Sequence, residues 1–62
     1  MKNAIKENRK LLGFKQETLA EMAKIPRTYL SEIENDKTEP GVRLAIRISK
    51  ALNQLVESIF FE

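Results

Sequence analysis

Apolar residues recur at helical spacing along the chain, in short runs separated by turn signals. Two such runs stand close together, and their apolar positions are Leu19, Ala20 and Ala23, then Leu30 and Ile33. Pro26 lies between the runs, and proline suits a first helical turn but interrupts a helix interior. The pattern therefore predicts two short helices, over residues 16–23 and 26–34, joined by a tight turn.

Three more helices complete the prediction. The first begins after Asn3, which can cap it, and ends near Gly13, which can adopt the left-handed conformation. A loop over residues 35–41 precedes a fourth helix over residues 41–52, and a short fifth helix covers residues 56–60. No strand-like alternation occurs, so we expect an all-α fold of five short helices around one core. The central pair then forms a helix-turn-helix, whose second helix can enter the DNA major groove.

Composition narrows the function classes. The length of 62 residues predicts one domain over residues 1–62, and the chain contains neither cysteine nor histidine. Their absence removes the thiolate nucleophile and the commonest general base, and it argues against a zinc site. No apolar run approaches the roughly 18 residues of a membrane span, and no signal-peptide segment follows Met1. We therefore expect a cytoplasmic protein that is not an enzyme and uses no metal, cofactor or small-molecule ligand.

The charge distribution complicates a DNA-binding interpretation. The net charge is +2, and it divides into +4 over residues 1–15, −3 over residues 16–40 and +1 over residues 41–62. The predicted helix pair lies in the acidic segment, which is unfavourable for a domain that meets phosphates. Composition alone favours the simpler interpretation that these charged side chains lie on the surface and are solvated.

The residues of the pair and its flanks form a more specific pattern. They are Gln16, Leu19-Ala20, Ile25, Leu30-Ser31, Ile33-Glu34-Asn35, Lys37, Pro40 and Ala51-Leu52. With them the chain resembles the lambda-repressor-like (XRE-type, phage repressor/Cro) helix-turn-helix family. The resemblance implies a five-helix domain that binds a roughly palindromic operator in double-stranded DNA as a homodimer.

The chain departs from that family at three places. Lys24 occupies the turn position where the family usually has glycine, and a lysine in left-handed geometry costs on the order of 1 kcal/mol. Asp36 follows Asn35 where glycine is common, and aspartate tolerates that geometry better. Ile25-Pro26 replaces the usual serine or threonine, so no side-chain oxygen is expected to cap the second helix of the pair.

Candidate DNA contacts follow from the faces of the predicted helices. With Leu30 and Ile33 turned inward, the opposite face of the second helix presents the expected base contacts, which are Arg27, Thr28, Ser31 and Glu32. Arginine can bond guanine bidentately, threonine can contact a thymine methyl, and glutamate can accept from cytosine. The expected DNA-backbone contacts are Gln16, Asn35, Lys37, Thr38 and Arg43. For each set the alternative is an ordinary solvated surface.

Two further predictions concern the interior and assembly. The resemblance implies that Glu34 pairs with Arg9, which lies on an inward face where a lone cation would be costly. Near the end of the chain, the apolar residues exceed what a short helix can bury, and we expect a dimer interface at Leu55, Ile59, Phe60 and Phe61. The alternative is that Phe60 completes the core and Phe61 lies in solvent.

The predicted function is sequence-specific DNA binding by a transcriptional regulator, specifically a repressor, with an antitoxin or a phage-type control protein as forms that fit. The alternative is a protein-interaction adaptor or antitoxin-type module on the same fold with weak or no DNA binding, for which the acidic middle segment argues.

Overall fold

The computed structural model describes residues 2–61. The helices are α1 (Ile5–Leu11), α2 (Gln16–Ala23), α3 (Arg27–Glu34), α4 (Val42–Ala51) and α5 (Val56–Ile59). The strands are β1 (Lys2–Asn3), before α1, and β2 (Phe60–Phe61), after α5. The five predicted helices are confirmed, with ends that match the prediction or differ from it by one or two residues.

The pairing of the two strands is a correction to the sequence prediction, which contained no strand. β1 and β2 are antiparallel, with Lys2 opposite Phe61 and Asn3 opposite Phe60. The Ala4 amide extends the pairing by donating to the Ile59 carbonyl at 2.8 Å. Strands of two residues are too short to show an alternating pattern, so nothing local announces them.

Every helix contributes to one core. Its buried apolar residues are Ile5, Leu19, Ala20, Ala23, Leu30, Ile33, Leu44, Ile48, Leu52, Ile59 and Phe60. The apolar residues of α4 differ in burial. The stripe with Leu44 and Ile48 faces the core, whereas Val42 and Ile46 remain exposed.

Within residues 2–61, α1 to α4 end in the same local motif. In each a residue with positive φ follows the helix: Gly13 (74°), Lys24 (61°), Asp36 (59°) and Asn53 (56°). After α2, the Lys24 amide bonds the Glu21 carbonyl at 3.1 Å, and the Ile25 amide bonds the Ala20 carbonyl at 3.0 Å. This is the Schellman arrangement, which satisfies the last carbonyls of a helix. Each of these helices therefore stops through its own backbone chemistry.

The end of the chain corrects the predicted dimer interface. Ile59 is fully buried and Phe60 is only 9% exposed, because α5 and β2 pack both side chains into the core. Ile59 therefore offers no surface to a partner, and its assignment to the interface is wrong. Phe60 completes the core, as the alternative prediction stated. Leu55 and Phe61 stay exposed, at 67% and 44%.

Candidate nucleic-acid interface

The helix pair is positioned by its own apolar face. α2 buries Leu19, Ala20 and Ala23, and α3 buries Leu30 and Ile33, in the common core. Between the helices the left-handed residue at position 24 and the extended proline at position 26 reverse the chain within three residues. The packing of the two helices on the core and the short turn between them therefore fix the angle at which they cross.

The opposite face of α3 carries the four predicted base contacts. Arg27, Thr28 and Glu32 are exposed, and Ser31 is half-buried. Pro26 precedes the helix as its N-cap, and no side chain of the described residues caps this end. The amide groups of the first turn thus lie beside two side chains, Arg27 and Thr28, that can bond base edges.

A buried ion pair joins α1 to the end of α3. Arg9 donates from Nε to Glu34 Oε2 at 3.0 Å and from Nη2 to Oε1 at 3.2 Å. Its Nη1 also bonds the Phe14 carbonyl at 3.0 Å. The Arg9 and Glu34 side chains are 11% and 3% exposed, so the pairing predicted from the resemblance is present and largely shielded from water. One acidic charge of the helix pair is therefore neutralised inside the fold.

The same carboxylate begins a chain of hydrogen bonds that reaches the start of α3. Gln16 Nε2 donates to Glu34 Oε1 at 3.3 Å, and Arg27 Nη1 donates to Gln16 Oε1 at 3.5 Å. A carboxylate only accepts hydrogen bonds, so the Gln16 amide must turn its nitrogen inward and its oxygen toward Arg27. Arg27 is thereby linked to Glu34 through Gln16.

The predicted backbone contacts lie on three segments. Gln16 opens α2, and Arg43 is exposed on the first turn of α4. The remaining three occupy the loop after α3, where Asn35 and Lys37 are exposed and Thr38 is half-buried. Asn35 Nδ2 folds back onto the Ser31 carbonyl at 2.9 Å, which directs this side chain along α3.

Two side chains that sequence reasoning missed brace this surface. Asn3 Nδ2 bonds the Ile33 carbonyl at 2.8 Å and Asp36 Oδ1 at 2.9 Å. Arg47 Nε on α4 bonds the Ala23 carbonyl, at the end of α2, at 3.1 Å. Each bond spans more than twenty positions, so no local pattern in the sequence could have indicated it.

An apolar groove lies between α4 and α5. It is lined by Pro40, Val42, Ala45, Ile46, Val56 and Phe60, with Glu57 at its edge. Val42 is 78% exposed, and Ile46 and Val56 are each more than one-third exposed. Adjacent apolar groups with this much exposure are typical of a surface that meets a partner.

Two other kinds of site are absent from the described part of the chain. None of the helices there is long and apolar enough to cross a bilayer. Residues 2–61 also contain no group of three acidic side chains placed to hold a metal ion.

Comparisons with known proteins match the whole arrangement. The family model described as Helix-turn-helix matches residues 5–56. The uncharacterized HTH-type transcriptional regulator YgzD of Bacillus subtilis is 36% identical over 61 residues, covering 98% of this chain and 92% of the relative. An uncharacterized HTH-type transcriptional regulator of Methanothermobacter thermautotrophicus is 39% identical over 61 residues, covering 97% of this chain and 88% of the relative.

Solved structures share the fold at similar coverage. The N-terminal DNA binding domain of SinR from Bacillus subtilis has a TM-score of 0.83 at 32% identity, covering 94% of this chain and 86% of that one. The restriction-modification controller protein C.AhdI from Aeromonas hydrophila has a TM-score of 0.84 at 25% identity, covering 90% and 85%. The likeness thus extends over the helix pair and the helices that support it.

Proposed function

This chain belongs to the helix-turn-helix family of DNA-binding transcription regulators, as its sequence resemblance indicated, and on that premise we propose that it is a sequence-specific repressor. The observation that carries the proposal is the exposed polar face at the start of α3, backed by a hydrogen-bond chain that ends on Arg27. The proposal includes a cytoplasmic, single-domain protein without enzymatic activity.

In the proposed complex α3 lies in the major groove. Arg27 and Thr28 go deepest because they stand at the helix N-terminus, where Arg27 bonds a guanine edge and Thr28 contacts a thymine methyl. Ser31 and Glu32 lie one turn further along, and Glu32 accepts from a cytosine amino group. A carboxylate close to phosphates lowers affinity, so its value is the rejection of other bases.

Contacts to the sugar-phosphate backbone fix the position of the protein along the DNA duplex. The proposed groups are Gln16, Asn35, Lys37, Thr38 and Arg43. The acidic charge of the helix pair is less adverse than its sum suggests, because Glu34 is buried against Arg9. Long-range steering remains weaker than in a strongly basic domain.

A homodimer extends the DNA sequence that is read. One helix contacts few base pairs, whereas a two-fold dimer matches half-sites about 34 Å apart on a palindromic operator. The α4–α5 groove supplies exposed apolar surface for this contact, and Leu55 and Phe61 are also exposed, at 67% and 44%. The proposed interface therefore centres on Val42, Ile46 and Val56 rather than on Ile59.

The direct test is selection of bound sequences from random duplex DNA, followed by affinity measurements at several salt concentrations. We expect one enriched sequence, and we expect Lys37→Ala and Arg43→Ala each to reduce the salt slope by about one unit. Lys50→Ala is the matched control, because Lys50 is exposed at the opposite end of α4 from Arg43. A parent chain that enriches no sequence and shows no salt slope would contradict the proposal.

The apolar groove favours one second candidate, a protein-interaction adaptor or antitoxin-type module that binds DNA weakly or not at all. In that case the groove takes a different protein rather than a second copy of this chain. The same selection separates the two functions, since an adaptor enriches no DNA sequence.

A further inference from the structure

The side chain of Asn3, near the start of the chain, bonds the end of α3 and the loop that follows it. Asn3 Nδ2 bonds both the Ile33 carbonyl and the Asp36 carboxylate, at 2.8 and 2.9 Å. Asn3 is itself fixed on two sides. Its backbone pairs with Phe60, and its Oδ1 accepts from the Ile5 amide at 3.2 Å. A single side chain thus connects the paired strands to the end of α3.

Asp36 needs this support for two reasons. Its φ of 59° lies in the left-handed region, which aspartate adopts less readily than glycine because it carries a Cβ. It also places a negative charge between Asn35 and Lys37, two of the groups proposed to meet DNA phosphates. A carboxylate that turned toward the phosphates would oppose binding.

Resting on the proposed DNA-binding function, we infer that Asn3 is a positioning residue for DNA binding. It keeps the Asp36 carboxylate turned back from the phosphates and holds the loop over residues 35–38 in the shape that presents Lys37. Asn3 touches no DNA in this arrangement. Because the loop contacts the DNA backbone, the effect falls on affinity for every sequence and leaves base preference unchanged.

The inference is tested by a double-mutant cycle with Asn3→Ala, Asp36→Gly and the combined variant. Each protein is titrated with the selected duplex and with a mismatched duplex, at a temperature where circular dichroism shows it folded. Asn3→Ala removes both Nδ2 bonds and the acceptor for the Ile5 amide, and it should weaken binding about fivefold and equally for both duplexes.

The Asp36→Gly background supplies the decisive comparison. Glycine adopts the left-handed conformation without a Cβ penalty and carries no carboxylate, so it removes both reasons for needing Asn3. In that background Asn3→Ala should change affinity by less than about twofold. The inference is overturned if Asn3→Ala alone binds like the parent, or if it loses the same factor in both backgrounds.

Asn3→Asp covers the case in which the alanine variant does not fold. The aspartate keeps an oxygen that can accept from the Ile5 amide, as Asn3 Oδ1 does at 3.2 Å. Its other carboxylate oxygen replaces the Nδ2 group that donates to Asp36. Its loss of affinity should be at least as large as that of Asn3→Ala, and Asp36→Gly should again relieve it. An Asn3→Asp variant that binds like the parent contradicts the inference.

A readout without DNA separates this inference from the proposed function. The Lys37 amide donates to the Glu32 carbonyl at 2.9 Å, and its hydrogen exchange reports the closure of the loop. Exchange should be faster in Asn3→Ala and unchanged in Asn8→Ala, a matched control whose Nδ2 bonds the carbonyl of Ala4, the N-cap residue of α1, at 2.8 Å. If the parent binds no DNA, the proposed function fails, whereas unchanged Lys37 exchange overturns the hold of Asn3 on the loop.

Discussion

Ser49 places a polar hydroxyl group in the apolar core. It is 2% exposed on α4, and its hydroxyl has no hydrogen-bond partner among the described residues. A buried hydroxyl without a partner costs free energy because it has lost its bonds to water. The position therefore carries a polar atom that works against the stability of the core.

We expect Ser49→Ala to raise the free energy of unfolding by about 1 kcal/mol, because it removes this unsatisfied group and favours the helix. Urea denaturation measures the change. Ser58→Ala is the control, because Ser58 is exposed on α5, and its free energy of unfolding should stay within about 0.5 kcal/mol of the parent. A Ser49→Ala variant less stable than the parent would show that the hydroxyl has a partner after all.

Arg27 is the residue whose removal should be most visible in DNA sequence preference. Its guanidinium is guided by Gln16 at 3.5 Å, at the end of α3 that goes deepest into the groove. Arg27→Ala should relax the preference at one base position, at a cost of roughly 1–3 kcal/mol. Selection from a randomised half-site measures this, with Lys37→Ala as the variant that weakens all sequences alike. An unchanged profile would remove Arg27 from the base contacts.

At the scale of the elements, the helix pair is braced from both neighbouring helices. α1 reaches the end of α3 through the Arg9–Glu34 pair, and α4 reaches the end of α2 through Arg47 and the Ala23 carbonyl at 3.1 Å. A cation at a helix C-terminus also interacts favourably with the helix dipole. In the turn between α2 and α3, Lys24 adopts the left-handed conformation, and the next residue, Ile25, packs against the core.

Lys24→Gly should therefore stabilise the helix pair. The expected gain is about 0.5–1 kcal/mol, the left-handed cost of a Cβ less the extra backbone entropy that glycine loses on folding. Thermal and urea unfolding measure it. Lys24→Ala makes the same change of charge but retains the Cβ, so it should give no gain. An equal gain in both variants would assign the effect to charge and not to backbone conformation.

On the scale of the whole molecule, the chain presents two different surfaces. α3 and its flanking loop form a polar surface, whereas α4 and α5 line an apolar groove in which Val42, at 78%, is more exposed than Ile46 or Val56. Arg47 and Ile46 are neighbours on α4, so the helix that lines the groove also braces the turn of the pair. The proposed assembly surface and the proposed DNA-reading surface therefore share one core.

Ile46→Glu should convert the proposed homodimer to a monomer while the fold is retained, because Ile46 lines the groove and is partly exposed. Sedimentation across a range of concentrations measures the mass, and thermal unfolding checks the fold. Leu11→Glu is the control, since Leu11 is 84% exposed and lies outside the groove. A parent chain with a monomer mass at every concentration would contradict the dimer. Ile59→Glu, by contrast, should unfold the chain.

The sequence was informative wherever a local pattern decides the structure. Helical periodicity predicted all five helices, and Gly13 ends the first of them in the left-handed conformation, as predicted. The features it missed depend on distant partners. Asn3 and Arg47 bond carbonyl groups 30 and 24 positions away. Ile59 was assigned to a surface because its burial follows from the pairing of the strands, which no periodicity reveals.

That pairing also has a consequence for the order of folding. Lys2 and Phe61 stand 59 positions apart, so their contact closes a loop of almost the entire chain. Closing so long a loop is opposed by chain entropy until the intervening helices have packed. The helix ends, by contrast, form from bonds within six residues. The strands should therefore join last on refolding, and the support that Asn3 gives to the loop after α3 should be the final part of the domain to form.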